Sequence, residues 1–247
     1  MNLTLDIGNT YAKLAAFDKT LVLLKSFKVE LIYDHIDDFL KLHPSIHNLI
    51  VCSVTDVNLN FDQYNFSNVH FVSEKSNIPF LNLYSSKHSL GNDRIALVSS
   101  ASINYPNKNV LIIDAGSCIT YDFINDKNQY LGGAISPGIN MRFKSLNNYT
   151  SKLPLISPAF TEFEIGTDTL ESINIGVLNG MIFEIEGFIS QYSSRYDNLT
   201  VILTGGNSDF LSNRLKISIF ANENFLLEGL NHLIKLNISS WKKIYFT

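Results

Sequence analysis

Two short segments of this 247-residue chain share one layout. In Leu5-Asp6-Ile7-Gly8-Asn9-Thr10 and again in Ile113-Asp114-Ala115-Gly116-Ser117-Cys118, an apolar strand runs into an aspartate, then x-Gly, then a small polar residue, and an apolar run returns. A strand–turn–strand unit that occurs once in each half implies a duplicated α/β architecture with a site between the copies. In the first copy, Gly8-Asn9-Thr10 reads as a hairpin turn where glycine and asparagine supply positive φ.

The rest of the pattern fits that frame. After the first hairpin, a strand is expected near Leu23 to Val29. Ile32, Ile36, Phe39 and Leu40 recur at helical spacing up to Pro44, and Asn48 to Cys52 reads as a buried strand. The first half is therefore β-β-β-α-β. In the second, Ile95, Val98 and Ala101 suggest a helix, Val110 to Asp114 a buried strand, Ile119 to Ile124 its return and Gln129 to Ile135 a third strand. Ile173, Val177, Met181, Ile185, Phe188 and Tyr192 keep a 3.6-residue face, read as core or dimer interface. Val201 to Thr204 then runs into Gly205-Gly206, and Phe225 to Leu236 forms a last amphipathic helix. The expected lobes are residues 1–105 and 106–247.

Composition limits the partners. With 19 Lys plus Arg against 23 Asp plus Glu, the net charge is −4, and 45% of residues are hydrophobic. That is the profile of a compact chain with no global electrostatic footprint for nucleic acid or a membrane surface, and neither partner is expected. No run approaches the ~20 apolar residues of a membrane span, and Met1 to Asp6 lacks the basic and apolar regions of a secretory signal, so a cytoplasmic location is expected. Cys52 and Cys118 have no metal-ligand spacing and read as reduced thiols. His43 and His47 flank Pro44 in a loop-like stretch and make a poor metal pair, and Lys242-Lys243 reads as a solvated tail.

The two hairpins can do specific chemistry. An aspartate at a strand end can hold a cation or an ordered water, while the amides and hydroxyls of Gly8, Asn9 and Thr10 can hydrogen-bond phosphate oxygens. Lys13, on the returning strand, adds a point positive charge. Neither G-x-x-x-x-G-K-[ST] nor G-x-G-x-x-G occurs, so the two commonest nucleotide loops are excluded. Asn92-Asp93 precedes a helical run and can cap it. A carboxylate there can equally take the proton of an alcohol, and the two roles are compatible.

This layout resembles the actin-like, ribonuclease H-like fold shared by sugar kinases, acetate kinase, actin and the large heat-shock chaperones, with an ATP cleft between two lobes. A closer resemblance rests on an ordered set: Gly91-Asn92-Asp93-Arg94, Asp114 to Asp122, Gly132 to Gly138, Thr150 to Pro154, Gly166 to Thr169 and Glu228-Gly229-Leu230. These fall in the order seen in type III pantothenate kinases.

The resemblance implies an ATP-dependent phosphorylation of pantothenate, the first step toward coenzyme A, by a homodimer. It implies that Asp6, Ile7, Gly8, Asn9, Thr10, Tyr11, Ala12 and Lys13 form the ATP-phosphate loop, with Ser117 a further ATP contact. Tyr84, Gly91, Asn92, Asp93, Arg94 and Thr169 would bind pantothenate, with Asp93 the catalytic base. Asp114 would hold a monovalent cation, K+ or NH4+, and Mg2+ would accompany ATP. Gly-Ser-Cys stands where the family usually has Gly-Thr-Ala, which keeps a hydroxyl at Ser117 and leaves Cys118 unexplained. A kinase for another small alcohol and a non-catalytic accessory factor of the same fold are the rival readings.

Overall fold

The computed structural model describes residues 1–55, 58–159 and 164–244, with side chains described through residue 238, short of the Lys242-Lys243 pair. The chain divides into two units. The first comprises Met1–Pro106, Asn128–Tyr130 and Asn224–Thr247; the second comprises Asn107–Lys127 and Leu131–Glu223.

In the first unit, β1 (Asn2–Ile7), β2 (Tyr11–Phe17) and β3 (Leu21–Lys28) form an antiparallel meander. Helix α1 (Ile32–Leu42) then leads to β4 (Asn48–Ser53), which lies parallel to β1, and β5 (Asn68–Phe71) lies parallel to β4. The resulting order is β3-β2-β1-β4-β5. Ile32, Ile36 and Phe39, spaced three or four apart, form the buried stripe of α1. They pack with Leu3, Leu5 and Ile7, spaced by two on one face of β1, and with Ala12, Leu14, Leu49 and Val51. Each large aliphatic side chain so buried contributes about 1.5–3 kcal/mol of apolar transfer free energy. Beyond the sheet come the short β6 (Leu81–Asn82) and the helix α2 (Asn92–Asn104).

The second unit repeats the plan. Strands β7 (Val110–Ala115) and β8 (Cys118–Ile124) form an antiparallel hairpin, followed by β9 (Gln129–Pro137). The first residues of β9, Gln129 and Tyr130, belong to the first unit and pair with Leu81 and Asn82 of β6. After helices α3 (Ile139–Asn148) and α4 (Thr169–Ser193) come β10 (Thr200–Thr204), the short α5 (Ser208–Ser212) and β11 (Phe220–Ala221). The order β9-β8-β7-β10-β11 matches the first unit strand for strand, β10 and β11 running parallel as β4 and β5 do. The duplication read from the two hairpins is thus a duplication of whole sheets. Among the described residues, α4 is the one helix long and apolar enough to cross a membrane. Its Ile173, Val177, Met181, Ile185 and Ile189 are buried in this unit's core with Leu111, Ile113, Tyr121 and Leu203.

The last helix, α6 (Phe225–Ile244), belongs to the first unit and packs on α2, β1 and β4. A chain of asparagines fixes it there. Asn2, Asn48 and Asn68 are register neighbours; Asn68 donates to Asn48 at 2.8 Å, Asn48 to Asn2 at 3.0 Å, and Asn2 to Asn231 of α6 at 2.9 Å. Farther along, Asn237 accepts from the Asn77 backbone N–H at 2.8 Å and donates to its carbonyl at 3.1 Å.

Several expectations are corrected in detail. Neither Gly8 nor Asn9 adopts a positive φ; that conformation falls at Asn107, Asn128, Asn198, Gly132 and Gly205. Gly8 serves instead through close approach: its N–H donates to the Tyr11 carbonyl at 3.0 Å, and a Cβ would lie 3.2 Å from that same oxygen. Strands β5 and β6 and helix α3 had no announced counterpart, and α6 continues past Leu236.

Candidate active site

The apolar run of β1 ends where its register puts Asp6 opposite Lys13 on β2 and Cys52 on β4. Burial, then the nearby Asp93 carboxylate, pushes the Asp6 carboxyl up to about 7, with Lys13 pulling the other way. The same two carboxylates, after burial, hold the Cys52 thiol well above its ordinary range, so it is an inert filler beneath the site. Ile7 and Ala12 have fully buried side chains, which leaves only their backbone for a ligand. Gly8 is partly exposed, while Asn9, Thr10 and Tyr11 are exposed.

Asp93 comes from the first turn of α2. The cap is Gly91, not the Asn92-Asp93 pair, because the helix begins at Asn92 and the Gly91 carbonyl accepts from Ile95 N–H at 3.1 Å. Glycine there also permits the present position of the Asp93 carboxylate, which a Cβ would displace and whose Oδ1 accepts from the Arg94 N–H at 2.8 Å. The Asn92 amide donates to the Ser53 carbonyl at 3.3 Å, tying the helix start to the end of β4. Arg94 is buried, its guanidinium 5.5 Å from the centre of the Tyr84 ring. Tyr84 in turn stacks on the buried Tyr130, ring centres 6.0 Å apart. The first unit thus gathers the loop of residues 6–13, Tyr84 and the Gly91–Arg94 turn.

The second unit carries the other residues. Asp114 ends β7 as Asp6 ends β1, and Ser117 stands exposed at the hairpin tip. Register sets Thr204 of β10 beside Asp114, and Gly205 follows at φ +91°, where a Cβ would run into the Asp114 carboxylate. Without a side chain, Gly205 lets the Asp114 carboxylate lie directly against its backbone. Asn207 closes the turn, its backbone N–H and side-chain amide both donating to the Ala115 carbonyl, at 3.0 and 3.1 Å. Among the described residues no three His, Cys, Asp or Glu side chains converge.

Thr169 begins α4 and is exposed. Asp168 caps the helix by accepting from Glu171 N–H at 2.9 Å, and Glu171 reaches back to the Thr167 N–H and hydroxyl at 2.8 and 2.9 Å. Together with Arg142, Ser145 and Ser172, Thr169 lines a cavity of about 750 Å³ within this unit. Sequence reasoning missed Arg142, Asn207 and Tyr130. Only Asn207 had a signal, its place just after the Gly205-Gly206 strand end.

The model of the type III pantothenate kinase family matches residues 2–191. A curated type III pantothenate kinase from Flavobacterium johnsoniae is 43% identical over 245 residues, covering 97% of this chain and 100% of that protein. The chain belongs to the type III pantothenate kinase family. Two solved structures carry the fold. A candidate Baf-family transcriptional activator from Campylobacter jejuni is 24% identical with a TM-score of 0.59, covering 96% of this chain and 99% of that one. A candidate N-acetylmannosamine kinase from Listeria monocytogenes is 13% identical with a TM-score of 0.50, covering 95% and 98%. The two-lobed actin-like fold expected from the paired hairpins is therefore that of this pantothenate kinase family member.

Proposed function

We propose that this chain transfers the γ-phosphoryl group of ATP to the 4′-hydroxyl of pantothenate. The observation that carries the reading, alongside family membership, is the gathering of Asp6, Asp93 and Arg94 at neighbouring ends of β1 and α2. Phosphoryl transfer requires little covalent chemistry of the protein, and catalysis is mostly positioning and charge. Asp93 takes the proton of the attacking hydroxyl, a step worth about 10²- to 10⁴-fold. Its anchoring on the Arg94 N–H holds the carboxylate at one orientation.

The amides and hydroxyls of Gly8, Asn9 and Thr10, with Lys13, receive phosphate oxygens, and Ser117 adds a contact from the second hairpin. Arg94, resting on Tyr84, pairs with the pantothenate carboxylate, and Thr169 supplies a second pantothenate contact. Mg2+ entering with ATP supplies charge neutralisation on the phosphates. Asp114, near the end of β7, holds the monovalent cation. The assembly is a homodimer: Gly176, Gly180, Phe183 and Gly187 leave the outer face of α4 apolar, and a Cβ on any of these three glycines would meet nothing within 4 Å in one protomer.

The test is a coupled ATPase assay with and without pantothenate. Pantothenate-dependent turnover is expected, and Asp93→Asn should lower kcat by about 10²-fold or more while ATP still binds. ATP hydrolysis indifferent to pantothenate, or an Asp93→Asn enzyme keeping over about a tenth of wild-type kcat, contradicts the reading.

A further inference from the structure

We propose that the Arg142–Glu184 ion pair positions the second hairpin, holding the Gly116-Ser117-Cys118 turn where nucleotide can use it. The inference rests on the reading of Ser117 as an ATP contact. Its basis is a closed ring of contacts within the second unit. Arg142, on α3, donates through Nη2 to Glu184 Oε2 at 2.6 Å and to Ser136 Oγ at 2.8 Å, and through Nε to the Pro137 carbonyl at 2.7 Å. The next residue, Gly138, donates its N–H to the Ser117 carbonyl at 3.1 Å. Its backbone passes so close to the hairpin that a Cβ would run into the Gly116 and Ser117 carbonyl oxygens.

On the other side, Glu184 of α4 accepts from the Tyr121 hydroxyl at 2.9 Å, and Tyr121 sits on β8, the strand that leaves the hairpin. The turn is therefore gripped from both ends. Gly138 cannot shift without pulling Pro137 off Arg142, and β8 cannot slide without pulling Tyr121 off Glu184.

The chemistry fits a device for position more than for stability. Burial alone would push the Glu184 carboxyl up, yet hydrogen bonds from Arg142, Ser136 and Tyr121 hold it below the ordinary glutamate range. The pair is thus ionised and partly buried, an arrangement that contributes little net stability compared with apolar side chains of similar volume. The surrounding core, with Ile139, Phe143, Met181 and Ile185, is apolar and would accommodate such side chains. What an apolar pair lacks is the planar fork that engages Glu184, Ser136 and the Pro137 carbonyl at once.

The experiment compares Arg142→Met, Arg142→Lys and Ser117→Ala with the wild type by affinity for a fluorescent ATP analogue, KM for ATP, KM for pantothenate and melting temperature. Arg142→Met should raise KM for ATP by about tenfold, more than it raises KM for pantothenate, and should lower the melting temperature because Glu184 keeps its charge without a partner. Arg142→Lys keeps a charge for Glu184 and guards against a folding failure, but it loses the fork, so it should show most of the same loss. ATP affinity within about twofold of wild type in both Arg142 variants overturns the proposal, as does a parallel rise of both KM values in Arg142→Lys. Ser117→Ala separates the two layers. A loss there with none at Arg142 overturns the positioning role alone, whereas no loss at Ser117 removes the reading beneath it and the proposal with it.

Discussion

Asp6 should make the ligand-free protein lose stability as pH rises. Its carboxyl is shifted from an ordinary 3.8 to about 7, first by burial and then by Asp93. A raised carboxylate pKa means that folding opposes ionisation: the stability is fully present below 3.8 and drains away as pH climbs through 7. At about 1.4 kcal/mol per pKa unit, a shift of roughly three units sets a ceiling near 4 kcal/mol. The side chain keeps some contact with solvent, and screening reduces the realised effect to about 1–2 kcal/mol.

Asp6→Asn keeps the shape and removes the charge. The variant should therefore melt about 1–3 °C above wild type at pH 5, where over a third of the stability has already drained, and about 2–8 °C above it at pH 8.5, the range expected for a chain of this length. Lys13→Met should steepen the wild-type slope, since Lys13 is the charge that favours ionised Asp6. The assay is a thermal melt in nucleotide-free buffers from pH 5 to 8.5 at constant ionic strength. Parallel pH profiles for wild type and Asp6→Asn would refute the reasoning, because Asp6 would then titrate alike in the folded and unfolded chain. The same substitution should weaken ATP binding, so that a gain in stability at pH 8.5 comes with a loss of function.

Three further outcomes test the packing and the assembly. Gly229→Ala forces a methyl into the Ala96 carbonyl where α6 meets α2; it should cost about 1–3 kcal/mol in denaturant melts and lower kcat as well, because α2 carries Asp93. Light scattering should give twice the 27.8 kDa protomer mass for wild type, and Gly180→Leu, which meets open space in one protomer, should return the protomer mass. Exchanging potassium for a bulky organic cation at constant ionic strength should raise KM for ATP, and Asp114→Asn should blunt that response; equal rates in both salts would remove Asp114 from the cation site.

The hairpins were legible because everything that forms them is local: an apolar run, a polar strand end, a tight turn and a returning run all lie within about a dozen residues. The duplication was legible at one remove, since one hairpin design recurs in each half, whereas the strand order within each sheet was not. Longer-range features had no comparable signal. Strand β5 is four residues, Asn68–Phe71, too short and with no buried face to give a pattern, and it exists because β4 offers an unpaired parallel edge. The asparagine chain linking Asn2, Asn48, Asn68 and Asn231 has no period at all in the sequence and arises only when sheet register brings the first three abreast.

At the site, the ambiguity of Asn92-Asp93 had a physical origin. Capping and general-base catalysis select the same side chains at the same end of a helix, so residue type alone cannot separate them. The distinguishing feature is the preceding glycine. Gly91 takes the cap position with backbone alone and, by lacking a Cβ, leaves Asp93 room to fold back onto the Arg94 N–H. The cap is thereby supplied by a residue with no side chain, and the carboxylate is released from that duty to face Asp6. The same logic recurs in the second unit, where Gly205 lacks a Cβ beside Asp114. At Asp93 on its helix and Asp114 on its strand alike, a glycine without a Cβ leaves the carboxylate room to lie close against its backbone.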